Sequence, residues 1–393
     1  MKKYNTAFPY FPKDDIEEIL KETRDILIGN KMLTMGENVQ KFEEQFAKYC
    51  QTKYAVATNS CTSALEIALS SLNLTSEDEV IVPVQTFVAT GSCVLKSGAK
   101  IVFCDVDDDF LLDFEFMKKL INKNTKAVIV VHFAGMISKD IIKIRDYLKE
   151  KNIILIEDDA HAHGATFGDL KAGNIGDIGC FSFYSTKIMT TGEGGMITTN
   201  NQEIYEKCAS LRNRGMDINY KGELFINLGS NHRVTEFQAL LGVYQLKRLD
   251  EFLEHRNKIA KIYKDELSDL IDKGIVRLQV PAQNSRHSYW RFIVFLNNHD
   301  RDEIIKKLNA LNIKADAPYF PLLHNQPLFK DIKKEKMINA EKLSKAHITD
   351  KDLLKAFRAE HITSYYLLEL KNNLEQLGIG FLESKAGIYL LID

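Results

Sequence analysis

The run Phe181-Ser182-Phe183-Tyr184-Ser185-Thr186-Lys187, followed by Gly192-Glu193-Gly194-Gly195, sets one lysine between two apolar strand-like runs and a glycine turn. Cys180, Phe181 and Phe183 read as a short buried strand and Met196-Ile197-Thr198-Thr199 as the next, so Lys187 falls on the loop where the strands part. Loops at strand ends are where sites are built. A lysine kept from bulk water by aromatic neighbours has a depressed pKa and can form a Schiff base with a carbonyl. A solvated lysine with its stem laid on Phe183 is the plainer alternative, so the rest of the chain has to decide.

Upstream, Ile153-Ile154-Leu155-Ile156 has the signature of a buried strand and ends in Glu157-Asp158-Asp159-Ala160-His161-Ala162-His163-Gly164. Carboxylates and imidazoles therefore gather at a strand's carboxyl edge, where open α/β sheets bind ligands. One acid there can hold a pyridine nitrogen protonated. His161 and His163 beside acids also suggest a metal, but the strong zinc spacings are absent and no metal is expected. A third element is Tyr54-Ala55-Val56-Ala57-Thr58, a strand, followed by Asn59-Ser60-Cys61-Thr62-Ser63 opening a segment with Ala64, Leu65, Ala68, Leu69 and Leu72 at helical spacing. Small polar residues at a helix start leave amide donors free for a phosphate, although on this segment alone ordinary capping by Ser60 is the favoured reading. A phosphate cradle, an acid at a strand end and a lysine on a loop are together the parts needed to hold pyridoxal phosphate (PLP).

These residues resemble the nucleotide-sugar aminotransferases of PLP fold type I, the DegT/StrS family. The likeness begins at Thr34-Met35-Gly36 and Val39-Gln40-Lys41-Phe42-Glu43 and runs through Asn59 to Leu65, Asp78 to Pro83 and Thr86-Phe87-Val88-Ala89-Thr90. It continues through Val131-His132-Phe133-Ala134-Gly135, Glu157-Asp158, the lysine segment, Gly229-Ser230-Asn231-His232-Arg233 and Gln238-Ala239-Leu240. Gln245-Leu246 and Pro321 to Pro327 extend it to about residue 346.

The resemblance implies that Lys187 bonds covalently to the cofactor aldehyde and that Asp158 pairs with the pyridinium nitrogen. Phe87 would stack on the cofactor ring, and His161 would lie near its phenolic oxygen. Thr62, Ser63 and Ser182 would bind the phosphate, with Asn231 reaching in from the neighbouring subunit of a homodimer. Amino transfer from an amino acid, with L-glutamate as the expected donor, to a nucleotide-linked ketosugar in aminosugar and surface polysaccharide biosynthesis is the implied activity. Relatives that dehydrate sugars carry histidine at the lysine position, so Lys187 argues for amino transfer. Two departures stand out: Cys61 replaces the family's usual glycine before Thr62, where a side chain can crowd the approach to phosphate, and the ending after Ala346 does not follow the family pattern.

Length and composition agree. The 393 residues, 45% hydrophobic and 27% charged, suffice for a large core and an ordinary globular fold. The expected fold is α/β and PLP fold type I-like: a mostly parallel seven-stranded sheet with helices on both faces plus a smaller α/β C-terminal domain, divided into residues 1–250 and 251–393. Strands are expected near 54–58, 79–83, 100–104, 126–131, 153–156, 179–184 and 195–199, with helices such as 61–72 and 138–151 between them. A long helix near 246–270 would lead to strands at 275–280, 288–296 and 386–392 and helices at 301–311 and 350–379. The net charge of −2, with dispersed Lys and Arg, gives no field for nucleic acid. Six cysteines without C-x-x-C spacing read as reduced thiols of a cytoplasmic protein. The N-terminus shows no apolar signal core and no segment has the run of apolar residues that spans a membrane.

For the substrate, Tyr184, Tyr319 and His324 are the candidates. His287, Tyr289, Trp290 and Arg291 can also line a pocket, although Tyr289 and Trp290 read more readily as core or interface residues. Two other functions fit part of the pattern: a PLP aminotransferase acting on a cyclitol or another small ketone, and a catalytically idle regulatory protein that binds sugar or cofactor. A dinucleotide oxidoreductase is disfavoured because no G-x-G-x-x-G follows the first strand.

Overall fold

The apolar runs that end in polar residues become the strands of one sheet. In the computed structural model, which describes residues 9–297, 299–310 and 315–350, β1 (Tyr54–Thr58), β2 (Glu79–Pro83), β3 (Lys100–Cys104), β4 (Thr125–Val131) and β5 (Ile154–Asp158) come first. The two-residue β6 (Thr166–Phe167) and β7 (Leu170–Lys171) precede β8 (Ile178–Ser182) and β9 (Gly195–Thr199). Seven of these form a sheet in the order β1-β9-β8-β5-β4-β2-β3. β8, β5, β4, β2 and β3 pair in parallel, whereas β9 is antiparallel to both β1 and β8.

Alternation sends the two faces of each strand into different cores. Val80 and Val82 of β2 join one cluster with Ala127, Ile129 and Ile156, while Ile81 joins another with Val128, Val130 and Leu155. Both faces are therefore covered, as a near-continuous apolar strand requires. Helices Cys61–Ser71, Val88–Lys96 and Ile141–Glu150 fall between strands.

The chain then leaves the sheet through helix Leu249–Glu266, followed by the separate short helix Ser268–Asp272. β10 (Val276–Leu278), β12 (Phe292–Leu296), β13 (Ala315–Asp316) and β14 (His347–Asp350) make an antiparallel sheet in the order β10-β12-β14-β13. β11 (Ser285–Arg286) pairs with β6. The strand expected from residue 288 starts only at Phe292. Its first part is instead a turn, with Tyr289 in the left-handed region at φ 47° and Ser288 N–H bonded to Gly135 O at 3.0 Å. Residues 347–350, where no strand was expected, form one because β12 offers them an edge from Phe292 to Phe295. The expected helix at 350–379 and strand at 386–392 lie beyond the described residues.

The lysine loop rests on an aromatic cluster. Phe46 sits 4.9 Å from Phe181 and 5.4 Å from Phe183 between ring centroids, and Phe42 sits 5.1 Å from Phe183. Such pairs add about 0.5–1.5 kcal/mol each beyond the area they bury. The support for residues 183–194 is thus carried by helix Glu37–Cys50, far away in sequence.

Candidate active site

Six of the seven strands run in the same direction and end at one edge of the sheet, and five of them deliver polar residues to the site. β1 leads into Asn59 and Ser60, β2 into Thr86 and Phe87, β4 into His132, β5 ends at Asp158, and β8 ends at Ser182 before the Lys187 loop. A cavity of about 440 Å³ opens at this edge, lined by Thr62, Phe87, Thr90, Asp158, His161, Ser182, Tyr184, Lys187, Trp290, Arg291 and Tyr319 among others. This is the crevice position that open α/β sheets use for ligands.

Asp158 lies at the bottom, 5% exposed. Its Oδ2 accepts a 2.8 Å hydrogen bond from Thr90 Oγ1, and Thr90 Oγ1 is 2.7 Å from Thr86 Oγ1. Its Oδ1 accepts from Ala160 N–H at 3.2 Å. Burial raises the Asp158 pKa, while the Thr90 and Ala160 hydrogen bonds and the Lys187 charge work against that rise. Lys187 is pushed down to about 8 by burial, against the opposing influence of Cys61 and Asp158. Its Nζ lies 4.3 Å from the centroid of the Trp290 ring, a cation–π contact.

Trp290 organises this side of the cavity. Its indole N–H donates to Thr186 O at 3.0 Å, next to the lysine in sequence, and its ring stacks on His161 with centroids 3.7 Å apart and planes 8° from parallel. His161 Nε2 is 2.9 Å from Tyr319 Oη, and its Nδ1 is buried without a partner among the described residues. Burial first, then the Lys187 and Arg291 charges, hold its pKa well below the usual histidine range, so the imidazole is neutral. Arg291 Nη1 is held by Asp316 Oδ1 at 2.7 Å and Thr349 Oγ1 at 3.0 Å. Tyr319, at φ 59°, faces both His161 and the half-exposed Phe87, whose ring centroid is 5.9 Å away.

The helix Cys61–Ser71 points its start into the same cavity. Ser60 Oγ accepts Ser63 N–H at 3.1 Å and Ser60 O accepts Ala64 N–H at 3.0 Å. The first two amides, of Cys61 and Thr62, have no intrahelical acceptor. Cys61 turns its sulfur inward to Cys180 O at 3.5 Å, so the thiol packs into the core instead of crowding the helix start. β9 passes this turn at Gly195, where a Cβ would collide with the Ser60 carbonyl and Cys61 N. Only glycine permits that approach.

Three expected residues are not among those lining the cavity. Ser63 spends its hydroxyl on Asn59 Oδ1 at 2.6 Å and lies 3.1 Å from His232 Nδ1. Asn231 is exposed, paired through its backbone with Asn213. His324 is buried beside Phe103 and faces Glu341 Oε1 at 3.4 Å, so within this chain it does not reach the cavity. His287 and Tyr289 stack on each other instead. Conversely, Trp290 is a cavity wall and not solely core, and Thr86 and Thr90 were not singled out from the sequence as site residues. A Thr-x-x-x-Thr spacing at a helix start was the available signal, without any mark that it faces Asp158. His161 and His163 do not form a metal pair: His163 packs against Phe181 and Phe183.

A sequence model of the DegT/DnrJ/EryC1/StrS aminotransferase family matches residues 13–359. The GDP-perosamine synthase of Caulobacter vibrioides is 39% identical over 298 residues, covering 75% of this chain and 79% of that protein. The UDP-4-amino-4,6-dideoxy-N-acetyl-beta-L-altrosamine transaminase of Campylobacter jejuni is 32% identical over 345 residues, covering 86% and 89% respectively. In three dimensions, the Escherichia coli GDP-4-keto-6-deoxy-D-mannose-3-dehydratase with bound hydrated PLP is similar with a TM-score of 0.81 at 26% identity, over 90% of this chain and 96% of that one.

Proposed function

Because the chain belongs to the DegT/DnrJ/EryC1/StrS aminotransferase family, we propose that it uses pyridoxal phosphate to move an amino group from an amino acid to a nucleotide-linked ketosugar in aminosugar biosynthesis. The observation that carries the assignment of residues is the facing of Lys187 and Asp158 across one cavity at the carboxyl edge of the sheet. The cavity fits the cofactor on its own chemistry. It holds an amine with a depressed pKa, a buried acid and unpaired helix-start amides, and the His161 Nδ1 is orphaned.

Bound pyridoxal phosphate supplies an aldehyde carbon and an electron sink for the pair left when the donor loses its α-proton. Lys187 Nζ would carry the covalent attachment, and its free amine would take the α-proton and return it. Its depressed pKa keeps an appreciable fraction of the amine neutral near physiological pH. Asp158 holds the ring nitrogen's proton by accepting its N–H, and Thr90 keeps that carboxylate aimed. Thr62, Ser182 and the amides of the helix start hold the phosphate. Phe87 would cover the ring, and His161, a neutral imidazole, would stand by its phenolic oxygen. Tyr184 and Tyr319 contact the sugar.

L-Glutamate is the proposed donor and the cytoplasm the proposed compartment; among the described residues no helix is long and apolar enough to cross a membrane. The working unit is a homodimer in which Asn231 completes the partner's site. Supporting this, Ile218, Tyr220, Leu224, Phe225, Ile226 and Leu228 are exposed just before Asn231, Leu228 fully so. Reduction of the cofactor-loaded protein with borohydride, followed by peptide mapping, should place the label on Lys187; a label on another lysine defeats the residue assignment. Assay of GDP-, UDP- and dTDP-ketosugars with glutamate then tests the substrate class, and activity on inososes alone would reassign the acceptor to cyclitols.

A further inference from the structure

Directly behind Asp158, on the strand ends that carry it, lies a second group of ionisable residues that the proposed chemistry does not use. His132 follows β4, Glu157 is the next-to-last residue of β5 and Asp159 follows its end, so the two acids flank Asp158; all three are buried, at 1%, 0% and 0% exposure. One ligand atom from each lies within 4.8 Å of the others. His132 Nε2 is 2.9 Å from Glu157 Oε2 and 3.7 Å from Asp159 Oδ1.

Glu157 is held as a ligand would be. Its Oε1 accepts Ile175 N–H at 2.9 Å and Gly176 N–H at 2.7 Å, which leaves Oε2 turned to His132 with one longer contact, 3.3 Å from Gly173 N. Carboxylates that coordinate metals are commonly fixed by such outer hydrogen bonds. Asp159 is the anomaly: both carboxylate oxygens are buried and neither has a hydrogen-bond partner among the described residues. An ionised carboxylate in that position carries an uncompensated charge, and a neutral one needs an acceptor for its O–H that is not found there; either state is costly. A cation removes the problem in one step.

We propose that His132, Glu157 and Asp159 bind a structural divalent cation of the zinc type. Two carboxylates and a neutral imidazole around a dication sum to zero charge, which suits complete burial. With bonds of about 2.1 Å, the two measured separations subtend angles of about 90° and roughly 125° at the ion, within the range of an open four- or five-coordinate site. The third edge, between Glu157 and Asp159, is no longer than 4.8 Å and would shorten to ligand spacing on binding. The ligands come from two strands 25 and 27 residues apart in sequence, so none of the compact zinc spacings marks them. The ion would tie the end of β4 to the end of β5 and fix Asp158 between two anchored neighbours.

The experiment uses the full chain with any affinity tag removed, produced in medium supplemented with Zn2+ or, separately, Mn2+, then passed through EDTA and gel filtration. We expect about one ion per chain retained, because a fully buried site exchanges only on unfolding, and a midpoint of thermal unfolding that falls when EDTA captures the released ion. Asp159→Ala should lose the ion and the EDTA effect together. Should that variant not fold, the ion content and EDTA response of the unmodified chain still decide. Retention below about one ion per ten chains in both media, with an unchanged midpoint, overturns the site. An Asp159→Asn variant more stable than the parent would then identify Asp159 as a neutral buried acid. An ion that survives Asp159→Ala equally overturns the proposal, since it is bound elsewhere.

Discussion

Thr90 Oγ1 donates a 2.8 Å hydrogen bond to Asp158 Oδ2 from the helix that follows Phe87, linking the segment over the cavity rim to the carboxylate at its floor. The bond favours the ionised acid against the burial that disfavours it. Thr90→Val, which keeps the shape and removes the hydroxyl, should therefore move the acid limb of the pH–rate profile upward and cost roughly tenfold to a hundredfold in rate, in line with about 1.5–3 kcal/mol for a hydrogen bond to a charged group. A rate profile superposable on the parent would mean that Thr90 only packs.

Lys187 is more useful to chemistry than to stability. Its pKa of about 8 in the folded chain lies below the usual 10.5, so the folded state bears the cost of a buried ammonium at pH 8 and below, and stability is regained as pH rises from 8 to 10.5. Lys187→Met should abolish amino transfer yet raise the unfolding midpoint of the cofactor-free protein at pH 7, with the gain shrinking towards pH 10. Equal or lower midpoints at pH 7 would contradict the burial argument.

The same pKa sets the pH dependence of cofactor capture. Only the neutral amine attacks an aldehyde, so the rate at which cofactor-free protein takes up pyridoxal phosphate should rise about tenfold between pH 7 and 9 and level off. Stopped-flow absorbance reads it directly. A rate still climbing steeply above pH 9 is the behaviour of an ordinary solvated lysine.

Trp290 ties three groups together, and its variants separate packing from hydrogen bonding. Trp290→Phe keeps a ring over Lys187 and His161 but leaves Thr186 O without its donor, a loss of about 1 kcal/mol. Trp290→Ala opens a cavity and should cost about 3–5 kcal/mol by denaturant unfolding. If the two variants unfold alike, the ring is not packed as described.

Mixing inactive chains tests the shared site. A Lys187→Ala subunit paired with an Asn231→Ala subunit contains one site with both residues intact and one with neither, so mixed preparations should regain activity that neither variant has alone. Failure to regain any, with dimers seen in sedimentation, would place Asn231 outside the partner's site.

Fold type, cofactor class and the placement of the lysine loop after a buried strand were legible in the chain because they reside in local patterns. A buried strand, a carboxylate at its end, a capped helix start and a lysine before a glycine turn each occupy fewer than a dozen residues and keep their meaning wherever the fold puts them. What the sequence could not determine is which distant side chains face one another. Thr90 and Asp158 are 68 residues apart, and Trp290 and Thr186 are 104 apart. Ser63 and Thr62 are adjacent, yet helical rotation sends only the second to the cavity. His324 follows a recognisable motif but packs against Phe103. Direction and pairing of this kind are fixed by sheet order, by the left-handed turns at Tyr289 and Tyr319, and by which hydroxyls the core leaves free. Those are properties of the packed chain, because a side chain's partner is chosen by three-dimensional proximity and the desolvation that comes with it.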